Sequence, residues 1–431
     1  MSQAVPDHGT SAREADARGR FAWALYDWAN SPFTTLIITF VFPAYFARAV
    51  VGDETVGQSL WGYGIGASGL LIAVMSPLFG AVADAGGRQK PFLLAFTLLC
   101  AAASALLWFA MPVPAMVVPV LICVAVANIG FEFGGVFNNA MLPEIVSGRR
   151  LGRLSGWAWG LGYLGGLTAL VIALVGFVQN ENPWLGLSTQ QAEHVRIVGP
   201  LVAVWLIAFA WPVLLFTPEP GARRVAIAQA TIDGIRRLQH LVGELRKRPD
   251  IARFLLAHMI YADGLTTVFA FGGIYAAGVF GMSLGEVVQF GILLNVMAGA
   301  GAFGFAWLDD RLGSRRTIII ALVGIIAAAT AAVSVQDRLS FWIAGAALGL
   351  FVGPAQASSR ALMARLMPAD RRGEYSGLFA LSGKATAFAG PILVGTLTAL
   401  FASQRVGLAS VLAFFVVGLA LLLTVREPSR A

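Results

Sequence analysis

Three ionisable side chains, Glu132, Asp263 and Lys384, interrupt long apolar stretches of the sequence. An ionisable group inside a bilayer costs about 2.5 to 3.5 kcal/mol on insertion scales, so we expect each one to face a polar cavity or a partner. Asp263 is the first candidate for binding a solute and a coupling proton, and the alternative is pairing with a neighbouring helix. Glu132 is the second candidate for the proton, because desolvation favours the protonated form of a buried carboxyl. Lys384 is predicted either to neutralise one of these acids or to bind a solute carboxylate.

A polar face is predicted on the first apolar stretch. Asp27, Asn30 and Thr34 are spaced by three and seven residues, which places them on one side of a helix. Asn30 and Thr34 are predicted to contact the solute. Asp27 lies about two turns from the start of the stretch, which suits a proton site, an inner gate or a solvated helix-end carboxylate. Thr267 follows Asp263 by four residues and joins the predicted solute site, because this spacing puts both side chains on one helix face.

Two aromatic side chains, Trp159 and Tyr163, are also four residues apart. They are predicted either to wall the solute cavity, with an apolar body and a polar tip, or to take part in ordinary helix packing. Arg360 lies near the end of its apolar stretch. We expect it to neutralise an acid or to reach the lipid headgroups.

The composition is that of a polytopic membrane protein. Of 431 residues, 58% are hydrophobic and 12% are charged, whereas soluble domains carry about 25% charged residues. Because a helix needs about 20 apolar residues to cross a bilayer, we predict an all-α membrane protein of twelve transmembrane helices in two pseudo-symmetric six-helix bundles. The predicted spans are residues 21–47, 58–83, 91–111, 114–137, 154–178, 197–216, 251–278, 284–308, 317–335, 340–363, 374–400 and 407–425.

The charges orient these spans. Only four of the 30 Lys and Arg residues fall in segments assigned to the outside, which predicts cytosolic termini by the positive-inside rule and explains the net charge of +7 without nucleic acid. The basic stretch between the bundles is predicted to contain an amphipathic helix on the membrane surface. The predicted organisation is an N-terminal tail at 1–20, an N-terminal bundle at 21–216, a linker at 217–250, a C-terminal bundle at 251–425 and a C-terminal tail at 426–431.

An internal repeat relates the two predicted bundles. The segment GAVADAGGRQK at 80–90 corresponds to AWLDDRLGSRR at 306–316, which aligns Asp84 with Asp310 at an offset of about 226 residues. Similar offsets relate the loops after spans four and ten and the threonines of spans one and seven. These offsets favour a duplicated six-helix unit.

The segment at 80–90 resembles the signature loop of the major facilitator superfamily. In addition, WALYDWANSPF at 23–33, SGWAWGLGYLGG at 155–166 and GPAQASSRALMARLMP at 353–368 resemble bacterial relatives of the vacuolar amino-acid effluxer (autophagy-related permease) family. The resemblance implies alternating access and efflux of amino acids or similar solutes. It also implies an inner gate of loop charges, made by Asp84, Arg88, Asp310 and Arg315.

These observations predict a secondary transporter of a small solute in the bacterial inner membrane, proton-coupled and monomeric, with no enzymatic activity, cofactor, metal site or nucleic-acid partner. A lipid or amphiphile transporter of the same fold is the first alternative. A membrane acyltransferase is a remote one, because His258 and Asp263 have a His-x-x-x-x-Asp spacing but lie about 140° apart on a helix. A channel or receptor is disfavoured because the sequence has no filter-like repeat and no large extramembrane segment.

Overall fold

The structure is a computed structural model that describes residues 15–84, 89–145, 150–180, 182–218, 232, 236, 243–367 and 372–427. Within these residues every regular element is a helix. Most of the predicted linker helix, both tail ends and the gate residue Arg88 lie outside the described residues. The helices are α1 Ala17–Val51, α2 Glu54–Asp84, α3 Gln89–Leu106, α4 Val117–Ile145, α5 Arg150–Ala173, α6 Val198–Phe216, α7 Pro249–Phe280, α8 Leu284–Leu312, α9 Ser314–Ser334, α10 Arg338–Leu366, α11 Arg372–Ser382, α12 Ala389–Phe401 and α13 Gln404–Leu423.

Eleven helical segments in the described part of the chain are long and apolar enough to cross a membrane. The eleventh predicted span, 374–400, is instead divided into α11 and α12 by turns at 383–388. Pro391 has no backbone N–H, so the carbonyl of Ala387 lacks its usual helical donor. The N–H of Lys384 donates to Leu381 O, only three residues back, at 3.0 Å. The sequence predicted one uninterrupted span here, and the structure corrects that expectation.

The first helix is also irregular. α1 becomes π-helical from Phe33 to Phe40, directly after Pro32, and wide turns of this kind occur frequently at functional sites. Because Pro32 offers no N–H, the Trp28 carbonyl loses its donor within the helix. It accepts a hydrogen bond from Trp205 Nε1 of α6 instead, at 3.1 Å, and the two indole rings stack with centroids 5.6 Å apart. The carbonyl that Pro32 leaves without a helical donor therefore joins α1 to α6.

Each half of the chain packs mainly with itself. In the first half, α1 contacts α5 and α6, while α4 contacts α2 and α3. In the second half, α10 contacts α8 and α9, while α13 contacts α7 and α9. Small residues bring α1 and α5 together, since a Cβ on Gly165 would lie 2.7 Å from Trp28 O. This close approach is typical of helices packed in a bilayer.

We call the end of the molecule where α1 begins and α13 ends the inner end, following the predicted orientation, and the opposite end the outer end. From the middle to the outer end, the two halves meet backbone to backbone. A Cβ on Gly62 of α2 would lie 2.6 Å from Pro391 O, and one on Gly273 of α7 would lie 2.6 Å from Thr39 O. Arg48 adds hydrogen bonds from α1 to Ala277 O at 2.8 Å and to Met282 O, which follows α7, at 3.1 Å. The outer halves are therefore closely packed.

Candidate functional site

Asp263 of α7 lies at the break between α11 and α12. Its side chain is fully buried. The backbone N–H of Gly390 donates to Asp263 Oδ2 at 3.1 Å, and Thr267 Oγ1 donates to Oδ1 at 3.3 Å. Gly390 is the second residue of α12, so the carboxylate faces the positive end of a helix, where an anion is stabilised. In this conformation Asp263 and Thr267, both predicted to bind solute, are inaccessible to solvent and instead hold α12 against α7.

Lys384 lies in the break itself and forms an ion pair with Glu132 of α4. The pair joins the two halves of the chain. The side chains are 42% and 22% exposed, so neither group is fully buried. One turn away on α4, Asn128 Nδ2 donates to Ser68 of α2 at 3.0 Å. The structure therefore places Lys384 as the counter-ion of Glu132.

A second cross-connection joins α5 to α10. Trp159 and Tyr163 of α5 are 45% and 39% exposed, too open for core packing. Tyr163 donates a hydrogen bond to Gln356 Oε1 at 3.2 Å. The guanidinium of Arg360 lies over the Trp159 ring, with Cζ 4.7 Å from its centroid. The sequence analysis did not predict a role for Gln356. A carboxamide one turn before Arg360 in an apolar stretch indicates a polar site and could have identified it.

The predicted polar face of α1 is present, but its members differ in their contacts. Thr34 Oγ1 donates to Ser31 O of its own helix at 2.9 Å. Asp27 and Asn30 are both half-buried, and neither side chain hydrogen-bonds to another residue within the described ranges. Asp27 lies beside α5, since its Cβ is 3.6 Å from a Cβ built on Gly162. The polar side-chain atoms of Asp27 and Asn30 are therefore available to bind a ligand.

Charged groups also cluster at the inner end of the second half. Glu427 Oε1 accepts a hydrogen bond from Arg365 of α10 at 2.8 Å, and Arg365 also pairs with Asp309 of α8 at 3.2 Å. The backbone N–H of Arg315 donates to Glu427 Oε2 at 3.0 Å, and its guanidinium donates to Leu423 O at 2.7 Å. Glu427 therefore caps the N-terminus of α9 and ties the end of the chain to α10.

Of the four predicted gate residues, Arg315 is the one whose side chain the structure describes. Asp84 and Asp310 lie in the last turns of α2 and α8, but their side chains are outside the described residues, as is Arg88. The sequence offered no signal for Glu427, which stood in the predicted tail.

The sequence of this chain is similar to those of known proteins. The family model described as "Vacuole effluxer Atg22 like" matches residues 49–430. The chain belongs to this family. The Atg22-like assignment agrees with an MFS-type transporter, YxiO, of Bacillus subtilis, which is 26% identical over 94% of both chains. It also agrees with Autophagy-related protein 22 of Coccidioides immitis, which is 22% identical over 92% of this chain and 77% of that protein.

Solved structures share the fold. A bacterial homologue of the human lysosomal transporter Spinster, crystallised in an inward-facing conformation, aligns with a TM-score of 0.71 at 15% identity, over 96% of both chains. A D-xylose–proton symporter aligns with a TM-score of 0.70 at 14% identity, over 95% of this chain and 98% of that one. The predicted all-α, multi-pass membrane fold of the major facilitator type is thereby confirmed, and this Atg22-like chain is a transporter of that type.

Proposed function

We propose that this protein is a secondary active transporter of a small solute, with amino acids or related metabolites favoured, coupled to protons and placed in the bacterial inner membrane. The observation that carries the proposal is the partly exposed ion pair of Glu132 with Lys384, which bridges the two halves inside the membrane-spanning part. Charged residues at this depth cost free energy, and where they occur in membrane spans they usually mark binding sites or ion pathways. The Bacillus subtilis relative, which is named as an MFS-type transporter, supports the transport function.

Alternating access is proposed from the contrast between the two ends. The outer halves touch through backbone at glycines in addition to side chains such as Arg48, whereas the contacts described here for the inner halves are between side chains, such as Tyr163 with Gln356 and Trp159 with Arg360. Side-chain contacts separate without unfolding a helix. We propose that they part as the halves rock towards an inward-open state, and that the glycine contacts part in the opposite movement.

Asp263 is the first proposed proton site, with Glu132 and Asp27 as further candidates. Its ionised carboxylate accepts a charge-assisted hydrogen bond from Gly390 at the start of α12, and such bonds are about twice as strong as neutral ones. Protonation weakens that bond and frees α12 from α7. Because α12 also packs against α2 of the other half, proton binding at Asp263 would reach the interface between the halves.

The test is transport by the purified protein in proteoliposomes. Uptake of a panel of radiolabelled amino acids is measured with and without a pH gradient in which the inside of the proteoliposomes is acidic. Asp263→Asn is expected to abolish accumulation driven by the gradient while keeping exchange of solute. Asp250→Asn is the matched control on the same helix, because Asp250 lies at its inner end and accepts a hydrogen bond from the N–H of Arg426. Unchanged gradient dependence in Asp263→Asn would remove Asp263 from the mechanism, and no transport of any solute in the wild type would refute the function.

A further inference from the structure

Arg360 differs from the arginines that anchor the ends of the spans. Those arginines all donate hydrogen bonds to carbonyl or carboxylate oxygens. Arg360 stands six residues before the end of α10, and in the described part of the chain its guanidinium meets no acceptor and no acid. The anchoring arginines are Arg48, Arg196, Arg315, Arg338, Arg365 and Arg405.

The contact that Arg360 does make leaves its donors open. Its guanidinium lies over the face of the Trp159 ring, 4.7 Å from the centroid. A cation over an aromatic face is attracted by the ring's quadrupole and uses no hydrogen-bond acceptor, so the N–H groups of the guanidinium are left for a ligand. Trp159 belongs to the other half of the chain and is 45% exposed. The ring therefore orients Arg360 between the halves, rather than leaving it to extend along α10 to the headgroups.

A second donor lies on the same face of α10. Gln356 precedes Arg360 by four residues, so the two side chains are neighbours on the helix. Its carbonyl oxygen already accepts the hydrogen bond of Tyr163 at 3.2 Å, and its NH₂ group has no acceptor within the described ranges. The arrangement offers one cation and one neutral donor, with no acid paired to it among the residues that the structure describes. Such a set fits an anion with two planar oxygens.

Resting on the proposed transport function, we propose that Arg360 and Gln356 form the site that binds the carboxylate of the transported solute, with Trp159 as the surface that orients the guanidinium. Lys384 is another cation between the halves, and Glu132 already neutralises it in this conformation. The unpaired charge of Arg360 is then what selects a carboxylate over a neutral solute. The cost of keeping an unpaired arginine in a membrane-spanning helix is offset whenever the solute is bound.

The direct test uses two probes of the same shape that differ in one group. The purified protein in detergent is titrated with 4-methylpentanoate and with 4-methylpentanamide, and thermal unfolding is followed. A ligand that binds the folded state raises the midpoint by mass action. The carboxylate is expected to raise it and the amide to leave it unchanged. Arg360→Gln should weaken the apparent carboxylate affinity about ten- to hundredfold, the range for a lost hydrogen bond to a charged group.

Two variants serve as controls. Arg365→Gln removes an arginine from the same helix whose charge is already paired, so the carboxylate response should persist. Arg360→Lys keeps the charge but loses the planar fork, and it should retain a weaker response, which covers the case in which Arg360→Gln does not fold. Equal responses to both probes, no response of the wild type, or an undiminished response in Arg360→Gln each overturn the proposal. A stabilisation by anionic lipid that needs Arg360, without a carboxylate response, also overturns it and assigns the side chain to headgroups.

The carboxylate site and the transport function fail in different ways. If the carboxylate response maps to Arg360 but proteoliposomes move no solute, the transport function is refuted while the binding site stands. If the wild type transports solute and Arg360→Gln does so with unchanged apparent affinity, the binding site is refuted while the function stands.

Discussion

Gly390→Ala is expected to destabilise the protein by crowding the contact between α12 and α7. An added Cβ would lie 2.8 Å from Asp263 Oδ1 and 3.0 Å from Thr267 Cβ, and closer still to Thr267 Oγ1. Real Cβ atoms do not approach these groups so closely, so either α12 or the two side chains must move. Overpacking of this kind costs about 1 to 3 kcal/mol. A shift of α12 also weakens the hydrogen bond from Gly390 N–H to the carboxylate, which adds about 1.5 to 3 kcal/mol if it is lost.

The combined loss of about 2.5 to 6 kcal/mol can be measured by unfolding in mixed micelles with rising SDS. Gly272→Ala is the matched control, because it lies on α7 and a Cβ there would meet nothing within 4 Å. It should be neutral or stabilising by up to about 1 kcal/mol, as expected when Ala replaces Gly inside a helix. Adding Thr267→Ala to Gly390→Ala should restore part of the loss by removing the nearest atom. Equal stability of Gly390→Ala and Gly272→Ala would falsify the contact between α12 and Asp263.

Three further variants test other contacts. Gln58→Leu removes a fully buried amide that donates to Thr398 at 2.8 Å and should lower stability by about 1 to 3 kcal/mol; an unchanged thermal midpoint would contradict the outer contact between the halves. Glu427→Gln should weaken the cap of α9 by about 1 kcal/mol, and high salt should shrink the difference from the wild type; a salt-independent effect would argue against an electrostatic cause. Glu132→Gln leaves its lysine partner unpaired and should speed maleimide labelling of a cysteine placed at the open position Gly160; an unchanged rate would show that the ion pair does not hold the halves together.

The span count followed from hydropathy because the membrane imposes one strong constraint, an apolar segment long enough to cross it. Hydropathy does not report where the backbone hydrogen bonds run. The stretch 374–400 is one apolar span by hydropathy, yet its helix breaks at 383–388, shortly before Pro391, which removes the helical donor of the Ala387 carbonyl. Proline alone does not predict such a break, because Pro212 and Pro354 lie inside uninterrupted helices. The break contains Lys384.

The sequence predicted candidate residues for the site but not their contacts, and Gln356 was not among them. Spacing placed Asp27, Asn30 and Thr34 on one face of a helix. It could not show that the Thr34 hydroxyl donates to the backbone of its own helix, whereas the side chains of the other two make no hydrogen bond within the described ranges. Depth made Asp263 the first candidate for the solute, and its burial against the start of α12 depends on a glycine 127 residues away.

Arg360 shows the same limit most clearly. Its position near a helix end left two predictions open, a partner for an acid or contact with lipid headgroups, because the sequence does not show what faces the side chain. The rotation of α10 against α5 decides instead that the guanidinium lies over Trp159. That rotation is set by packing across the interface of the two halves, between residues 201 positions apart in the chain. Because Arg360 meets no acid in the described part of the chain, at an interface that we propose to move, we expect a ligand of opposite charge to neutralise it, and the proposed ligand is the transported solute.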